Sequence, residues 1–154
     1  MNKMGSLRAL LLVTMLLGLE AVAQAAPVAF TVLLTGADRV PAVRDQSAAT
    51  ATARFTYDEQ TRTITWDLDY SGVHSAVTAA QLRGPALPGK NGRLLVRMSA
   101  KAEKGEQIAS PVKGKATFSS RQAKALAAGD IYVVLDSTDH PNGELRGQLL
   151  VPKS

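Results

Sequence analysis

A strict alternation of apolar and polar residues runs through two adjacent segments, and this period of two indicates a fold built on β-strands. In residues 49–57 the odd-numbered positions are Ala, Phe or Tyr, and the even-numbered positions are Thr or Arg. In residues 62–70 large side chains such as Ile64 and Trp66 alternate with Thr and Asp. Successive side chains of a strand point to opposite faces, so each segment is predicted to be a strand with one buried face. The polar residues 58–61 between them predict a hairpin.

Six further short segments have strand character, and breakers rich in Gly, Pro and Asn separate several of them. These segments are 28–34, 77–83, 93–99, 112–118, 131–136 and 143–151. Eight strands at this spacing predict an all-β Greek-key β-sandwich. Residues 120–128 are rich in Ala and Lys and are followed by Gly129, which predicts one short helix with Ser119 or Ser120 as its N-cap. The side chains expected in the core are Phe30, Phe55, Ile64, Trp66, Leu68, Val133 and Leu149.

The first 25 residues have the features of a secretory signal peptide. Lys3 and Arg8 are followed by the apolar run LLLVTMLLGL, which is too short for a membrane-spanning helix, and then by small residues. Ala23 and Ala25 favour cleavage after Ala25, cleavage after Ala23 also fits, and an uncleaved N-terminal anchor is the alternative interpretation. We therefore expect an exported protein, periplasmic or extracellular, with a single domain over residues 26–154 and no membrane span after cleavage.

The composition excludes several classes of function. The chain contains no cysteine, so an exported form relies on its hydrophobic core rather than on disulfides. Thiol catalysis and cysteine-ligated metal sites are excluded for the same reason. The net charge of the chain is +5, but the charged residues are scattered. Without a basic stripe interleaved with aromatic residues, nucleic acid is not expected as a partner.

Three fragments, taken in their order and spacing, resemble the CHRD domain, which is named for chordin and also occurs singly in bacterial secreted proteins. They are TAAQLRGPA from residue 78, LAAGDIYVV from residue 126 and HPNGELRGQL from residue 140, and LTGA and VP precede them near residues 34–41. The likeness covers roughly residues 28–151. It implies a β-sandwich and an extracellular setting, and it does not imply an enzyme, because the chordin repeats belong to an extracellular antagonist of growth factors. The family-motif positions are Gln81, Arg83, Gly84, Pro85, Tyr132, Asp136, Gly143, Glu144, Arg146, Gly147 and Gln148.

The chain departs from the family pattern at three positions where the resemblance implies histidine: Gln81, Arg83 and Asp136. Two histidines at positions i and i+2 of a strand face the same way, and a third nearby could complete a copper or zinc site. Glutamine and arginine are poor ligands, so such a site is expected to be absent here, and no cofactor is predicted. The hypothesis that replaces it is an Arg83–Asp136 ion pair, which would help to fix the register of the strands.

A different metal site is the first alternative function. The chain has two histidines, His74 and His140, and both fall in predicted loops. His140 with the nearby Asp136 and Asp139 is the candidate for a weak surface site for copper or zinc. The spacing matches no known metal motif, which favours solvent-facing loop residues.

A small carboxylate-based hydrolase is the second alternative. Asp67 and Asp69 lie two residues apart on one predicted strand face, and paired carboxylates can perform acid–base chemistry or bind a cation. Glu144 is the third carboxylate of this hypothesis. The alternation of the two aspartates with apolar residues favours the wet face of a half-buried strand instead.

The last motif allows a structural and a functional interpretation. Gly147 lies between Arg146 and Gln148 in a predicted strand, where glycine indicates a bulge or a close backbone approach. The structural interpretation is that Arg146 ties loops to the sheet, and the functional one is a binding surface. No Gly-x-Ser-x-Gly element or phosphate loop is found in the sequence. We therefore predict an exported, non-catalytic module that binds a macromolecular or surface partner, an unidentified protein or envelope component.

Overall fold

The computed structural model describes residues 25–42 and 48–153, so residues 1–24 of the predicted signal peptide lie outside the described residues. The described residues form eight strands and one helix. Their bounds are β1 Val28–Leu34, β2 Thr50–Asp58, β3 Thr63–Ser71, β4 Val77–Gly84, β5 Arg93–Arg97, β6 Val112–Thr117, α1 Ser120–Ala127, β7 Tyr132–Ser137 and β8 Leu145–Gln148. Within these residues no helix is long and apolar enough to cross a membrane.

The strands form two antiparallel sheets of four strands each, with the orders β1-β2-β3-β6 and β5-β4-β7-β8. The pairs β3 with β6 and β4 with β7 are not consecutive in the chain, so the connections cross between the sheets as the predicted Greek-key arrangement requires. The all-β sandwich and each of its predicted strands are confirmed. The largest difference is at β8, which occupies only the middle of the predicted segment 143–151.

The predicted hairpin of β2 and β3 is confirmed, and its turn shows why the chain reverses there. The Asp58 carboxylate accepts hydrogen bonds from the backbone N–H groups of Gln60 (2.9 Å) and Thr61 (3.1 Å), a local pattern that favours turns. The pairing that follows places Phe55 opposite Trp66, so two large side chains share one face. That face is the inner one, and it supplies much of the core.

The core lies between the two sheets. All seven side chains expected there are buried, with at most 9% of their surface exposed. The pattern follows from the pleat, because every second residue of β2 is buried while its neighbours are open or half-open to solvent. The helix α1 also forms as predicted: Ser119 is its N-cap, and the Ser119 and Gln122 side chains form a reciprocal capping box.

The two outer faces of the sandwich differ. The outer face of the first sheet is wet and carries two exposed ion pairs, Arg54–Asp69 and Lys113–Asp67. The outer face of the second sheet is covered, and all six residues of β7 are buried. The loop 85–92, which connects β4 to β5, lies over this face, and the loop 35–42 that follows β1 lies beside it. The Asn91 side-chain amide ties the two loops together by donating to the Val40 carbonyl (3.2 Å).

A short contact joins the two sheets on one side of the sandwich. Thr35 follows β1, and its backbone exchanges two hydrogen bonds with Arg146 of β8, at 2.9 and 3.0 Å. Next to it the backbones approach closely, since a Cβ atom on Gly147 would lie 2.6 Å from the Leu33 carbonyl oxygen. The close approach expected at Gly147 is therefore present, and β1 can pass over β8 because residue 147 has no side chain.

Candidate functional site

Most of the family-motif side chains meet on the outer face of the second sheet. Arg83 of β4 lies opposite Tyr132 of β7, and Gln81 lies opposite Val134. Directly opposed residues of an antiparallel pair project on the same side, and Asp136 projects there too because it is two residues beyond Val134. The three positions where the family pattern has histidine therefore do share a face.

A cavity of about 300 Å³ opens on this face, and we call it the arginine pocket. Its lining includes three cations, Arg39, Arg83 and Arg146, and two amide side chains, Asn91 and Asn142. Arg39 and Asn142 come from loops, whereas Arg83 and Arg146 come from strands, so the pocket depends on the loops being held against the sheet.

Arg146 is the most buried of these cations, with 2% of its surface exposed. Its guanidinium carbon lies 3.6 Å from the centre of the Tyr132 ring, which is a cation–π contact. The guanidinium also donates to the Asn91 side-chain oxygen (3.5 Å), the Leu87 carbonyl (3.4 Å) and the Gln148 side-chain oxygen (3.4 Å). Burial lowers the pKa of Arg146, although arginine remains protonated in proteins. Within the described part of the chain, no carboxylate forms an ion pair with it.

The motif residues also fix the loop 85–92. The backbone N–H of Gly92 donates to the Tyr132 hydroxyl (2.9 Å), and the Arg83 Nε–H donates to the Gly92 carbonyl (3.1 Å). At the start of the loop Gly84 has φ +153°, and a Cβ atom there would lie 2.5 Å from the Asp130 carbonyl oxygen. Pro85 follows it as the first residue of the loop. Residue 84 must therefore be glycine, because a side chain there would clash with the Asp130 carbonyl oxygen. This contact fixes the position at which the loop leaves the sheet.

Gln148 performs a similar task near the start of the loop. Its side-chain amide donates to the Ala86 carbonyl (2.9 Å) and the Gly129 carbonyl (2.7 Å). Together with the hydrogen bond from Arg146 to Leu87, these contacts attach the first half of loop 85–92 to β8. The structural interpretation, in which Arg146 ties loops to the sheet, agrees with this geometry.

Arg39 reaches the pocket from a loop with its own internal order. The Thr35 hydroxyl donates to the Asp38 carboxylate (2.7 Å), and the Asp38 backbone N–H donates back to the Thr35 oxygen (3.2 Å). This local turn directs the next residue toward the second sheet. The Arg39 Nε atom is buried there and has no hydrogen-bond partner among the residues that the structure describes.

The hypothesis of an Arg83–Asp136 ion pair is wrong. Both residues are described by the structure, and neither takes part in any of its ion pairs. Arg83 lies opposite Tyr132, four residues before Asp136 on β7, which corresponds to about 13 Å along the strand. Arg83 uses its Nε–H on the Gly92 carbonyl instead. The two residues share a face without meeting.

Asp136 is therefore a buried carboxylate that forms no salt bridge with any described residue. It is 5% exposed, and its Oδ1 atom has no hydrogen-bond partner in residues 25–42 and 48–153. Burial raises the pKa of Asp136 from 3.8 to about 6, and the positive charges of Arg83 and Arg39 oppose part of that rise. At neutral pH the carboxylate is mostly ionised, and it contributes negative charge beside the arginines.

Replacing Asp136 with asparagine is expected to raise the free energy of unfolding at neutral pH by about 2 kcal/mol. Between pH 3.8 and about 6 the folded protein binds more protons than the unfolded chain, so its stability falls as the pH rises through this interval. Asp136→Asn removes that loss. Urea unfolding at several pH values would measure it, with exposed Asp139→Asn as a control that stays at the wild-type value. A variant less stable than wild type at neutral pH would contradict the expectation.

The residues of the proposed metal site are not brought together. The His140 Nε2 atom lies 3.8 Å from a Glu144 oxygen, and the Ser137 hydroxyl donates to that same oxygen (2.5 Å). The backbone N–H of Asp139 instead faces the loop before β4, where it donates to a Ser75 hydroxyl. Residues 25–42 and 48–153 contain no group of three His, Asp or Glu side chains arranged to hold a metal ion. His74 is exposed in the loop between β3 and β4.

The carboxylates of the hydrolase hypothesis are also dispersed. Asp67 pairs with Lys113 at 2.8 Å and Asp69 pairs with Arg54 at 2.7 Å, all on the wet face of the first sheet. Glu144 precedes β8 in the second sheet and is buried beside Gly143. The two aspartates act as the polar face of a half-buried strand, as the alternation predicts, and Glu144 does not face them.

Sequence reasoning found Arg83, Tyr132 and Arg146 as motif positions but missed Arg39, Asn91 and Asn142. The missed residues lie in loops, where no periodicity marks the direction of a side chain. One signal was present for Arg39, because it directly precedes the VP fragment that belongs to the family resemblance.

These features define a class: a two-sheet β-sandwich module in which motif residues of one sheet hold loops around a polar pocket. The family model for the CHRD domain matches residues 30–149, which is most of the chain, and the protein therefore belongs to the CHRD domain family. CHRD domains are in general non-catalytic modules and are typically extracellular. Comparison with curated proteins and with solved structures gave no match.

Proposed function

We propose that this protein is an exported, non-catalytic CHRD module that binds a protein or envelope component through the covered face of its second sheet. The observation that carries the proposal is the arginine pocket, where Arg39, Arg83 and Arg146 line one open cavity. Strand residues are seldom buried on both faces of an antiparallel sheet unless something covers the outer one. Here the cover is incomplete, and cationic groups from β4, β8 and the loop after β1 line the opening.

The proposed compartment rests on the N-terminal sequence and on the family. Residues 1–25 have the charge, apolar run and small residues of a cleaved signal, which leaves a domain of residues 26–154. The absence of cysteine is compatible with either periplasm or extracellular medium, since the core alone can stabilise a domain of this size. Fractionation of producing cells, followed by N-terminal sequencing, tests this part. Full-length protein retained inside the cell would contradict it.

Site-specific crosslinking in the producing cells tests the binding surface. A photoreactive residue at exposed Asn142, on the rim of the arginine pocket, is expected to give a discrete crosslinked partner. The matched position is exposed Thr56 of β2, on the outer face of the first sheet, which is expected to give none.

A charge-reversal variant then tests whether the crosslink depends on the arginine pocket. Arg83→Glu is introduced into the protein that carries the photoreactive residue at position 142. It is expected to reduce the amount of crosslinked partner by about tenfold, because it places a negative charge among the arginines. Arg121→Glu, an exposed arginine of α1 outside the pocket, is the control for net charge. Equal crosslinking from positions 142 and 56, or a crosslink that survives Arg83→Glu, would reject this surface.

A further inference from the structure

We propose that the arginine pocket binds the carboxylate of a small organic acid or of a residue that carries one. This inference deepens the proposed function, because it names the chemical group by which a partner or a free ligand is recognised at that site. It is argued from the charges in the pocket, the hydrogen-bonding groups that remain unused, and the apolar part of the lining.

The balance of charge selects a singly charged anion. Three guanidinium groups line the pocket: Arg39, Arg83 and Arg146. Within residues 25–42 and 48–153, Asp136 interacts electrostatically with Arg39 and Arg83, and Asp38 interacts with Arg146. Counted over the described residues alone, these three positive and two negative charges leave one positive charge at neutral pH. A monoanion completes this balance, whereas a dianion such as sulfate exceeds it.

The guanidinium groups also keep hydrogen-bonding capacity for a ligand. The buried Arg39 Nε atom has no hydrogen-bond partner in the described part of the chain. The Arg146 guanidinium uses neutral oxygens at 3.4–3.5 Å, and charge-assisted hydrogen bonds to carboxylates are shorter, about 2.7–2.9 Å. A planar carboxylate matches the planar fork of a guanidinium, so it is the group best suited to take up these donors.

The remainder of the lining indicates what the carboxylate is attached to. Val40, Pro41 and Val134 form an apolar part of the wall, next to the arginines. A volume of about 300 Å³ is at the lower end of the range for small-molecule sites. The pocket therefore suits a short aliphatic acid, or the carboxylate of a single residue inserted from a partner, rather than an extended ligand.

An NMR titration of the purified, isotope-labelled protein at neutral pH and constant ionic strength tests this inference. The ligands are propionate as the monoanion, sulfate as the dianion and chloride as the ionic control. We expect propionate to shift the amide signals of residues 83, 91, 142 and 146 saturably, with a millimolar Kd appropriate to so small a ligand. Sulfate that binds these residues more tightly than propionate, or no saturable shift with propionate, would overturn the inference.

Two variants connect binding to the arginines. Arg39→Gln removes a loop cation that lines the pocket, and it is expected to weaken propionate binding by about tenfold. Arg83→Gln serves the same purpose if the first variant loses the dispersed spectrum of the folded protein. Arg121→Gln on α1 is expected to bind like wild type. Undiminished binding in folded Arg39→Gln and Arg83→Gln would place the anion elsewhere and refute the assignment.

A second pair of ligands distinguishes the source of the carboxylate. N-acetylalanine carries the free carboxylate of a chain terminus, and N-acetylalaninamide is its neutral match. Tighter binding of N-acetylalanine than of propionate indicates a carboxylate presented by a peptide chain, and the reverse indicates a free organic acid. Binding of the amide as tight as that of the acid would contradict recognition of the charge.

The outcome is separable from that of the crosslinking experiment. If propionate binds but no partner is crosslinked at residue 142, the pocket is a carboxylate site and the proposed partner-binding function fails. If a partner is crosslinked but no carboxylate binds, the surface stands and the assigned ligand chemistry fails.

Discussion

Replacing Gly147 with alanine is expected to lower the free energy of unfolding by about 3 kcal/mol. The added Cβ atom would lie 2.5 Å from the Val32 Cγ1 atom and 2.6 Å from the Leu33 carbonyl oxygen. The Val32 side chain could move, but the carbonyl belongs to β1 and is fixed by the pairing of β1 with β2. The sheets would have to separate at the point where Thr35 and Arg146 join them. Urea unfolding followed by circular dichroism would measure the loss as a lower midpoint.

Gly89→Ala is the matched control for this variant. Gly89 lies in the loop 85–92, where a Cβ atom would meet no neighbour, although its φ of +78° is unfavourable for alanine. The expected cost is about 1 kcal/mol, from backbone strain alone. Equal losses for the two variants would show that the close approach of β8 to β1 is not what requires glycine at residue 147.

Phe55→Ala is expected to destabilise the protein by about 4 kcal/mol, the largest effect predicted for a single side chain. Phe55 is 2% exposed, and its ring stacks on that of Phe30 with 5.4 Å between centres. The truncation removes buried apolar surface and the ring contact, and it leaves a cavity that neighbouring strands cannot close.

Leu33→Ala provides the comparison for Phe55→Ala, because Leu33 is also apolar and in a strand but is 61% exposed. Its substitution is expected to change the free energy of unfolding by no more than about 0.5 kcal/mol. Both values come from the same equilibrium unfolding experiment. A small loss for Phe55→Ala would mean that the two sheets can repack around residue 55.

The regular elements could be predicted from the sequence because each one is specified locally. The alternation in residues 49–57 and 62–70 predicts two strands and shows which face of each is buried. The polar residues between them predict the hairpin, whose turn Asp58 stabilises. The helix likewise follows from Ser119 before an Ala-rich segment and Gly129 after it. These signals depend on neighbours in the chain, so no knowledge of the tertiary structure is needed.

The arginine pocket could be predicted only in part, because its parts come from distant segments. The spacing of Gln81 and Arg83 correctly put both on one strand face, and the family resemblance added Asp136 to it. The register of β4 against β7 cannot be predicted from the sequence of either strand alone. This register places Arg83 opposite Tyr132 rather than opposite Asp136. The position of Arg39 depends on the turn at Thr35 and Asp38 and on the hydrogen bond from Asn91 to Val40, and neither produces a periodic pattern in the sequence.

The bridge between Thr35 and Arg146 has a consequence for association between copies of the protein. Because β1 and β8 meet there, the outer strands at the opposite ends of the two sheets are β6 and β5. Lys113 and Lys115 lie along β6, and Arg93 and Arg97 end β5. Positive charges on edge strands oppose the addition of a further strand, since two such edges repel one another. The charges of Lys115, Arg93 and Arg97 therefore oppose edge-to-edge association at β5 and β6, whereas Lys113 is paired with Asp67.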